Sequence, residues 1–185
     1  SKLIPHLLTT AGLAVAKYVS IHGDLASKPI HKLSMALLRL AALVHDIGKP
    51  YAWVRTYRSG KPVNHASISA ELLDRLGIAK IFEEQGFADL YEALRELVEK
   101  HHDVDSLPQT YAIKSVGVDL DLRLLGVLLH EADRDSSNID RLGRFFAELV
   151  TDVVKDYADR HGLTVEEMFV GTGLSVWRAW LSMPI

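Results

Sequence analysis

The sequence predicts an all-α fold of six or seven helices with one small irregular or hairpin insertion. Apolar residues recur every three or four positions over most of the 185 residues, as on the buried face of a helix. Glycines and prolines fall mainly between these stripes, where they can end helices. Residues 51–63 are the main segment without a helical period. A hydrophobic content of 48% supports a single domain over residues 1–185 with a substantial core.

The first half of the chain contains three predicted helices around the insertion. The first spans residues 3–21, and Gly23 can end it. The second spans residues 32–47 and is followed by Gly48 and Pro50. In the irregular segment, Ser59 and Gly60 are a candidate hairpin turn. The third helix spans residues 65–76, with a capping residue before it and a glycine after it, Asn64 and Gly77.

The second half contains the remaining predicted helices. They span residues 88–101, 120–132 and 139–160, and Gly162 ends the last of them. Thr164 and Glu167 have the spacing of a capping box, which predicts one more short helix.

Composition excludes several classes of protein. A net charge of -3 excludes a global basic field for nucleic acid, so any such binding requires a local patch. The absence of cysteine excludes disulfides and thiolate metal ligands, and it agrees with a reducing cytoplasm. No uninterrupted apolar run reaches the roughly 18 residues of a membrane span. Ser1 stands where a start methionine is expected, which suggests a domain excised from a longer protein.

The strongest chemical signal is His45-Asp46. The two polar residues follow a strongly apolar predicted helix, where burying them is costly unless they are paired. A divalent metal ion would pair with both. An isolated His-Asp dipeptide is a weak signal, but the full string Leu-Val-His-Asp-Ile-Gly-Lys-Pro is much more specific.

With this string the chain resembles the HD superfamily of metal-dependent phosphohydrolases. The family order is an early His, the His-Asp pair and a late Asp, matched here by His6, His45-Asp46 and Asp133. Members with two metals add one His and then a His-His dipeptide. The resemblance thus implies one ion held by His6, His45, Asp46 and Asp133, and a second held by Asp46, His65, His101 and His102. It implies two divalent transition-metal ions, for which Mn, Fe, Co, Ni and Zn are candidates.

Such a centre would hydrolyse phosphate esters. Two ions a few Å apart can activate water and neutralise charge on a phosphoryl group. Asp46 and Lys49 are the predicted catalytic residues, with Asp46 as the bridge and Lys49 against a substrate phosphate. A solvated Lys49 at a helix C-terminus is the alternative. His22, His31 and His161 are interpreted as helix-end residues, and His130 as a packing residue, with support of a metal ligand as the alternative.

The segment after the His-Asp pair is locally basic and aromatic. No acidic residue occurs from residue 47 to residue 70. Cations interleaved with aromatic rings suit a single-stranded nucleic acid, because phosphates pair with the charges while bases stack on the rings. The alternative is a hairpin whose rings anchor it to the core and whose charges are solvated. The cations are Lys49, Arg55, Arg58 and Lys61, and the rings are those of Tyr51, Trp53 and Tyr57.

Within the superfamily, the chain most resembles the HD nuclease of type I CRISPR systems, either stand-alone or fused to the effector large subunit. The cyclic-dinucleotide branch has Gly-Tyr-Pro after its His-His, which is missing here, and type III large subunits carry a permuted order. Ala132-Asp133-Arg134 followed by Ser136-Ser137 fits the type I pattern. This resemblance implies cutting of single-stranded DNA in the cytoplasm, Arg134 as a further substrate contact, and a helicase or CRISPR effector complex as partner. The alternatives are a nucleotide phosphohydrolase and a non-catalytic regulatory HD module.

Overall fold

In the computed structural model, which describes residues 3–162, the all-α prediction is confirmed. These residues form seven α-helices, two short 3-10 helices and a two-stranded hairpin. They fall into two compact units, residues 3–136 and 137–162. The α-helices are α1 (Leu3–His22), α2 (Pro29–Val44), α3 (Lys49–Ser59), α4 (His65–Arg75), α5 (Ile78–Glu84), α6 (Ala88–Glu99) and α7 (Leu122–His161). The 3-10 helices are Gly23–Ser27 and Val104–Ser106, and the strands are β1 (Tyr111–Ile113) and β2 (Val118–Leu120).

The core of residues 3–136 lies between the helices. α1 packs on α2, α2 and α4 pack on α6, and α3 lies against α4. Leucine and alanine dominate the buried set, so the helices approach closely where alanines such as Ala14 and Ala41 meet, each with no exposed surface. Burial of these apolar stripes is the main driving force that fixes the helix positions.

The segment after the His-Asp pair is helical, so the predicted irregular or hairpin structure at residues 51–63 is wrong in position. Pro50 stands in the first turn of α3, where its missing N–H costs nothing. Gly60 ends the helix with a left-handed φ of 67° and donates its N–H to the Thr56 carbonyl. Ala52 is the one buried residue of α3, so the sequence shows no apolar stripe and the helical period is lost.

The hairpin lies instead between α6 and α7. Tyr111 pairs with Leu120, and Ile113 with Val118, in an antiparallel register. Gly117, with a φ of 67°, supplies the turn conformation that other residues rarely adopt. Strands of three residues are too short for an alternating pattern to be visible in the sequence.

Three other helices differ from the prediction. α2 begins and ends about three residues earlier than predicted, and α5 was not predicted because none of its residues is buried. The helices predicted at 120–132 and 139–160 are one continuous helix, α7, since the polar residues between them include neither Gly nor Pro. The capping box at Thr164 lies outside the described residues. The Asn64 cap is confirmed, with its side chain accepting the Ala66 N–H at 2.9 Å.

One described segment, Leu3–Ser27, is long and apolar enough to cross a membrane by length and composition. Its buried face, which includes Leu7, Ala11 and Tyr18, packs in the core, and a core helix of a soluble protein passes the same test. This segment therefore carries no membrane assignment.

Candidate metal centre

The His-Asp pair lies immediately after the last residue of α2, inside the protein. The apolar face of α2, with Leu38, Ala41 and Ala42 buried, carries the pair into the core, and neither His45 nor Asp46 has any exposed surface. The Nδ1 atom of His45 lies 2.8 Å from the Ala42 carbonyl, which fixes the ring and leaves Nε2 directed at the carboxylates.

Four buried residues form a first cluster, called here the first-ion cluster: His6, His45, Asp46 and Asp133. Their ligand atoms all lie within 4.8 Å of one another. The Nε2 atom of His6 is 3.0 Å from Oδ1 of Asp133 and 3.3 Å from Oδ2 of Asp46. These are the four residues assigned to one ion from the sequence, brought together from α1, the turn after α2, and α7.

Three histidines form a second cluster, the second-ion cluster: His65, His101 and His102. Their ligand atoms also lie within 4.8 Å of one another, and the two Nε2 atoms of His65 and His102 are 3.1 Å apart. His101 is fully buried, His65 is half-buried and His102 is exposed.

Asp46 faces both clusters. Its Oδ2 is 3.3 Å from Nε2 of both His6 and His45, while its Oδ1 is 3.0 Å from Nε2 of His65. One carboxylate thus presents a separate oxygen to each cluster, as a ligand that bridges two ions must.

Hydrogen bonds behind the histidines orient their rings. The Nδ1 atom of His101 lies 2.7 Å from the Val98 carbonyl, one helical turn earlier. Ser136, fully buried, lies with its Oγ 3.1 Å from Nδ1 of His6. His130 lies with its Nδ1 3.1 Å from the His101 backbone carbonyl, a contact that agrees with the supporting alternative for this residue. Such outer contacts fix the tautomer and aim the free nitrogen at a metal.

Apart from the Lys49 ammonium at Oδ2 of Asp46, the buried ligand atoms at the centre lack a hydrogen-bond partner in the described residues. In the described part of the chain, the buried Nε2 atoms of His6, His45 and His101, both oxygens of Asp46 and Oδ1 of Asp133 accept or donate no hydrogen bond. They approach each other at 3.0–3.6 Å without hydrogen-bond geometry. Unpaired buried polar atoms are costly, and a cation in each cluster would satisfy the atoms that face it. Imidazole and carboxylate donors without thiolate fit a first-row divalent ion.

The pKa values of the ligands differ between the first-ion and the second-ion cluster. Burial opposes ionisation of Asp46, yet the imidazoles of His45, His6 and His65 outweigh it and hold its pKa well below the usual range. Burial likewise opposes protonation of His45, but Asp133 and Asp46 outweigh it and raise its pKa to about 9. At His101, burial and then repulsion from His45 lower the pKa to about 3.

Of the residues predicted to contact substrate, most lie further from the two clusters than the ligands do. The Lys49 ammonium contacts Oδ2 of Asp46, while the Lys49 side chain is 43% exposed to solvent. Arg55, Arg58 and Lys61 lie further along or just beyond α3, exposed, with Arg55 3.8 Å from Glu71. Arg134 is 64% exposed beside Asp133, with Asp135 at 4.0 Å.

Sequence reasoning missed two buried serines, Ser69 and Ser136, as supports of the centre. Ser69 belongs to no motif, and Ser136 was noted only as part of the resemblance after Asp133, so the contacts of both become visible only in the folded chain. His22 and His31 stay outside the centre, where Nδ1 of His31 lies 2.8 Å from the Tyr18 hydroxyl.

Comparison with known protein families agrees with this geometry. The HD domain family model matches residues 4–138, which include all seven residues of the two clusters. No curated protein and no solved structure matches the chain significantly. HD domains are generally metal-dependent hydrolases that bind divalent metals, and the buried His/Asp cluster is able to hold one. By the match over most of its length, the chain belongs to the HD domain family.

Proposed function

We propose that the chain is a nuclease that hydrolyses phosphodiester bonds of single-stranded DNA with two divalent ions. The observation that carries this proposal is the position of Asp46, whose two oxygens lie 3.0 and 3.3 Å from histidines of different clusters. A pair of ions bridged by one carboxylate is a common arrangement for displacement at phosphorus.

The chain's own residues supply the positions. His6, His45, Asp46 and Asp133 would hold one ion, and Asp46, His65, His101 and His102 the other. When bound, the two ions activate water and neutralise charge on the phosphoryl group. The Lys49 ammonium contacts Asp46 and the Lys49 side chain is 43% exposed, which suits contact with a substrate phosphate that approaches from solvent.

The helix α3 supports a nucleic-acid strand as substrate. It begins three residues after Asp46, and its aromatic rings are exposed to solvent instead of packing in the core: Trp53 is 70% and Tyr57 81% exposed. These two rings lie one helical turn apart and stack, with centroids 6.0 Å apart. Exposed stacking surfaces beside Arg55 and Arg58, in a segment without acidic residues, are suited to unpaired bases and their phosphates.

Several finer parts of the proposal rest on the resemblance described above. They are a role in CRISPR interference, a helicase or effector complex that supplies the strand, Arg134 as a strand contact, and a cytoplasmic location.

One observation favours a second candidate, a nucleotide phosphohydrolase. An open surface pocket of about 400 Å³ on α3 is lined by Pro50, Tyr51, Val54, Arg55 and Arg58, and a nucleoside would fit its volume. A non-catalytic regulatory module is less favoured, because all seven ligand positions of the family pattern are filled.

Assay of the Mn²⁺- or Co²⁺-loaded protein on four substrates separates these functions. They are circular single-stranded DNA, duplex DNA, RNA and a panel of nucleotides. We expect cutting of the circular single strand, weaker cutting of duplex, and activity that falls as salt rises, because phosphate contacts release counterions. Turnover of nucleotides without cutting of the circle would establish the phosphohydrolase instead.

Replacing Arg55, Arg58 and Lys61 together by Ala tests the role of α3. Binding of single-stranded DNA should weaken about tenfold or more, because each lost phosphate contact reduces affinity and its salt dependence. Hydrolysis of a small phosphodiester should stay unchanged.

A matched control removes three exposed cations from other elements, Arg75, Lys80 and Lys114. This control has the same net charge as the α3 variant. Equal losses of DNA affinity in both variants would show that overall charge, and not the position of the cations on α3, causes the effect. Equal loss on the strand and on the small ester would mean that α3 is only structural.

A further inference from the structure

The turn that follows Asp46 is pressed directly against the first turn of α4. A Cβ atom on Gly48 would lie 2.6 Å from both the His65 carbonyl oxygen and the Ser69 amide nitrogen. Both neighbours are backbone atoms, so neither can move aside cheaply. Because Gly48 has an ordinary right-handed conformation, with a φ of -78°, it is the space and not the dihedral that demands glycine.

The Ser69 hydroxyl joins the two segments at this contact. Its Oγ accepts the Gly48 N–H at 2.9 Å and donates to the His65 carbonyl at 2.9 Å. Ser69 has no exposed surface, so water cannot replace either bond. Loss of the hydroxyl would leave the buried Gly48 N–H without this acceptor, and an unpaired buried donor is destabilising.

These contacts form a closed path, called here the ring, that links residues of the two clusters. From Asp46 the chain runs two residues to Gly48, a hydrogen bond leads to Ser69, a second leads to His65, and Nε2 of His65 returns to Oδ1 of Asp46 at 3.0 Å. The ring connects the bridging carboxylate to a ligand that only the second-ion cluster contains. The first-ion cluster has its own support, the Ser136 contact to His6.

We propose that Ser69 is a positioning residue that sets the distance between Asp46 and His65 and thereby the affinity of the second-ion cluster for its metal. This inference rests on the two-ion centre of the proposed function, and it adds a residue that is not itself a ligand. Removal of an outer contact of this kind typically lowers metal affinity about 10- to 100-fold.

Ser34 offers a matched control. It is also buried in a helix, 6% exposed, and its Oγ donates to the carbonyl four residues earlier, Ile30, at 2.9 Å. It lies on α2, eleven residues before His45, and contacts no ligand of either cluster in the described structure. Ser34→Ala therefore removes the same intrahelical bond without touching the ring.

The test is a calorimetric titration of metal-free protein with Mn²⁺, repeated with Co²⁺, for the wild type, Ser69→Ala, Ser69→Cys and Ser34→Ala. In Ser69→Ala we expect the weaker of the two binding events to lose about tenfold in affinity while the tighter one stays within twofold. Ser69→Cys, close to serine in size and with a weaker hydrogen-bonding group, should lie between Ser69→Ala and the wild type. Ser34→Ala should bind both ions as the wild type does.

Several results would overturn the proposal. They are equal loss of both ions in Ser69→Ala, no loss at all, or the same loss in Ser34→Ala. If Ser69→Ala does not fold, Ser69→Cys decides in its place. A wild type that binds two ions but cuts no DNA would refute the proposed substrate without contradicting the role of Ser69. A wild type that binds one ion would remove the basis of both.

Discussion

The two ion clusters differ in burial and in donor chemistry. The first-ion cluster has two carboxylates and two imidazoles, all buried, whereas the second combines three imidazoles with one shared carboxylate and opens to solvent at His102. Carboxylate charge and burial favour tight retention of a cation, while neutral imidazoles near solvent allow exchange. The difference teaches that two ions held there would not be equivalent, because one would lie in the core and the other would lie close to solvent.

Loss of Asp46 has the largest expected effect, since both clusters share it. Asp46→Ala should reduce hydrolysis by at least about 10³-fold, because removal of even one electrostatic contact in an active site costs about 10²–10³. The helical fold should survive, as the change removes a ligand and leaves the apolar core intact. Activity on circular single-stranded DNA and circular dichroism measure the two effects. Near-normal turnover with intact metal dependence would refute the bridging role.

The comparison between clusters is tested next by removing one ligand from each. His65→Ala should keep the first ion and weaken the second, so that elemental analysis after gel filtration finds close to one Mn per chain. His6→Ala should weaken the first ion and disturb the buried cluster. Loss of both ions in either variant would show that the clusters bind as one unit.

Metal removal gives a third expected effect. A ligand present at about 1,000 times its dissociation constant stabilises a folded protein by about 4 kcal/mol. Chelation should therefore lower the melting temperature in two steps: a fast small step as the exposed second ion leaves, and a slow larger one as the buried first ion follows. Differential scanning fluorimetry at increasing times after EDTA addition measures both. A single step would contradict the difference in burial.

The smallest expected effect is a difference in pH dependence. In metal-free protein the raised pKa of His45, about 9, means that the first ion must displace a proton at neutral pH. First-ion affinity should rise about tenfold per pH unit between pH 6.5 and 9 for each proton displaced. His101, with its pKa lowered to about 3, is already neutral, so second-ion affinity should stay nearly constant there. Titrations in buffers with different ionisation enthalpies count the protons.

The raised pKa of His45 also determines how the stability of the metal-free protein changes with pH. Because the pKa of His45 is raised in the folded state, its pairing with Asp133 and Asp46 stabilises metal-free protein fully below pH 6.5 and is lost as pH rises through 9. Metal-loaded protein should show the opposite trend over this range, since metal affinity rises with pH. Melting temperatures of the two forms against pH check both signs.

Prediction from sequence was most successful where burial leaves a period or a motif has a fixed order. The apolar stripes predicted α1, α2, α4 and α6, and the order of histidines and aspartates predicted residues that the structure brings together. It failed at α3, since a helix with one buried residue has no stripe, and at the break assigned within α7, where polar residues resemble a turn. It could not find Ser69, because a hydroxyl between two segments 21 positions apart has no local signature.

The first-ion cluster also has a consequence for folding. Ser136 meets His6 across 130 positions of the chain, so this half of the centre is a contact of very high sequence separation. Such contacts close large loops, and their entropic cost delays them relative to local helices. The three histidines of the second-ion cluster come from a shorter stretch, residues 65–102, and can meet earlier. A chain that is still folding, or that has emerged from the ribosome only as far as residue 132, therefore lacks a complete first-ion cluster.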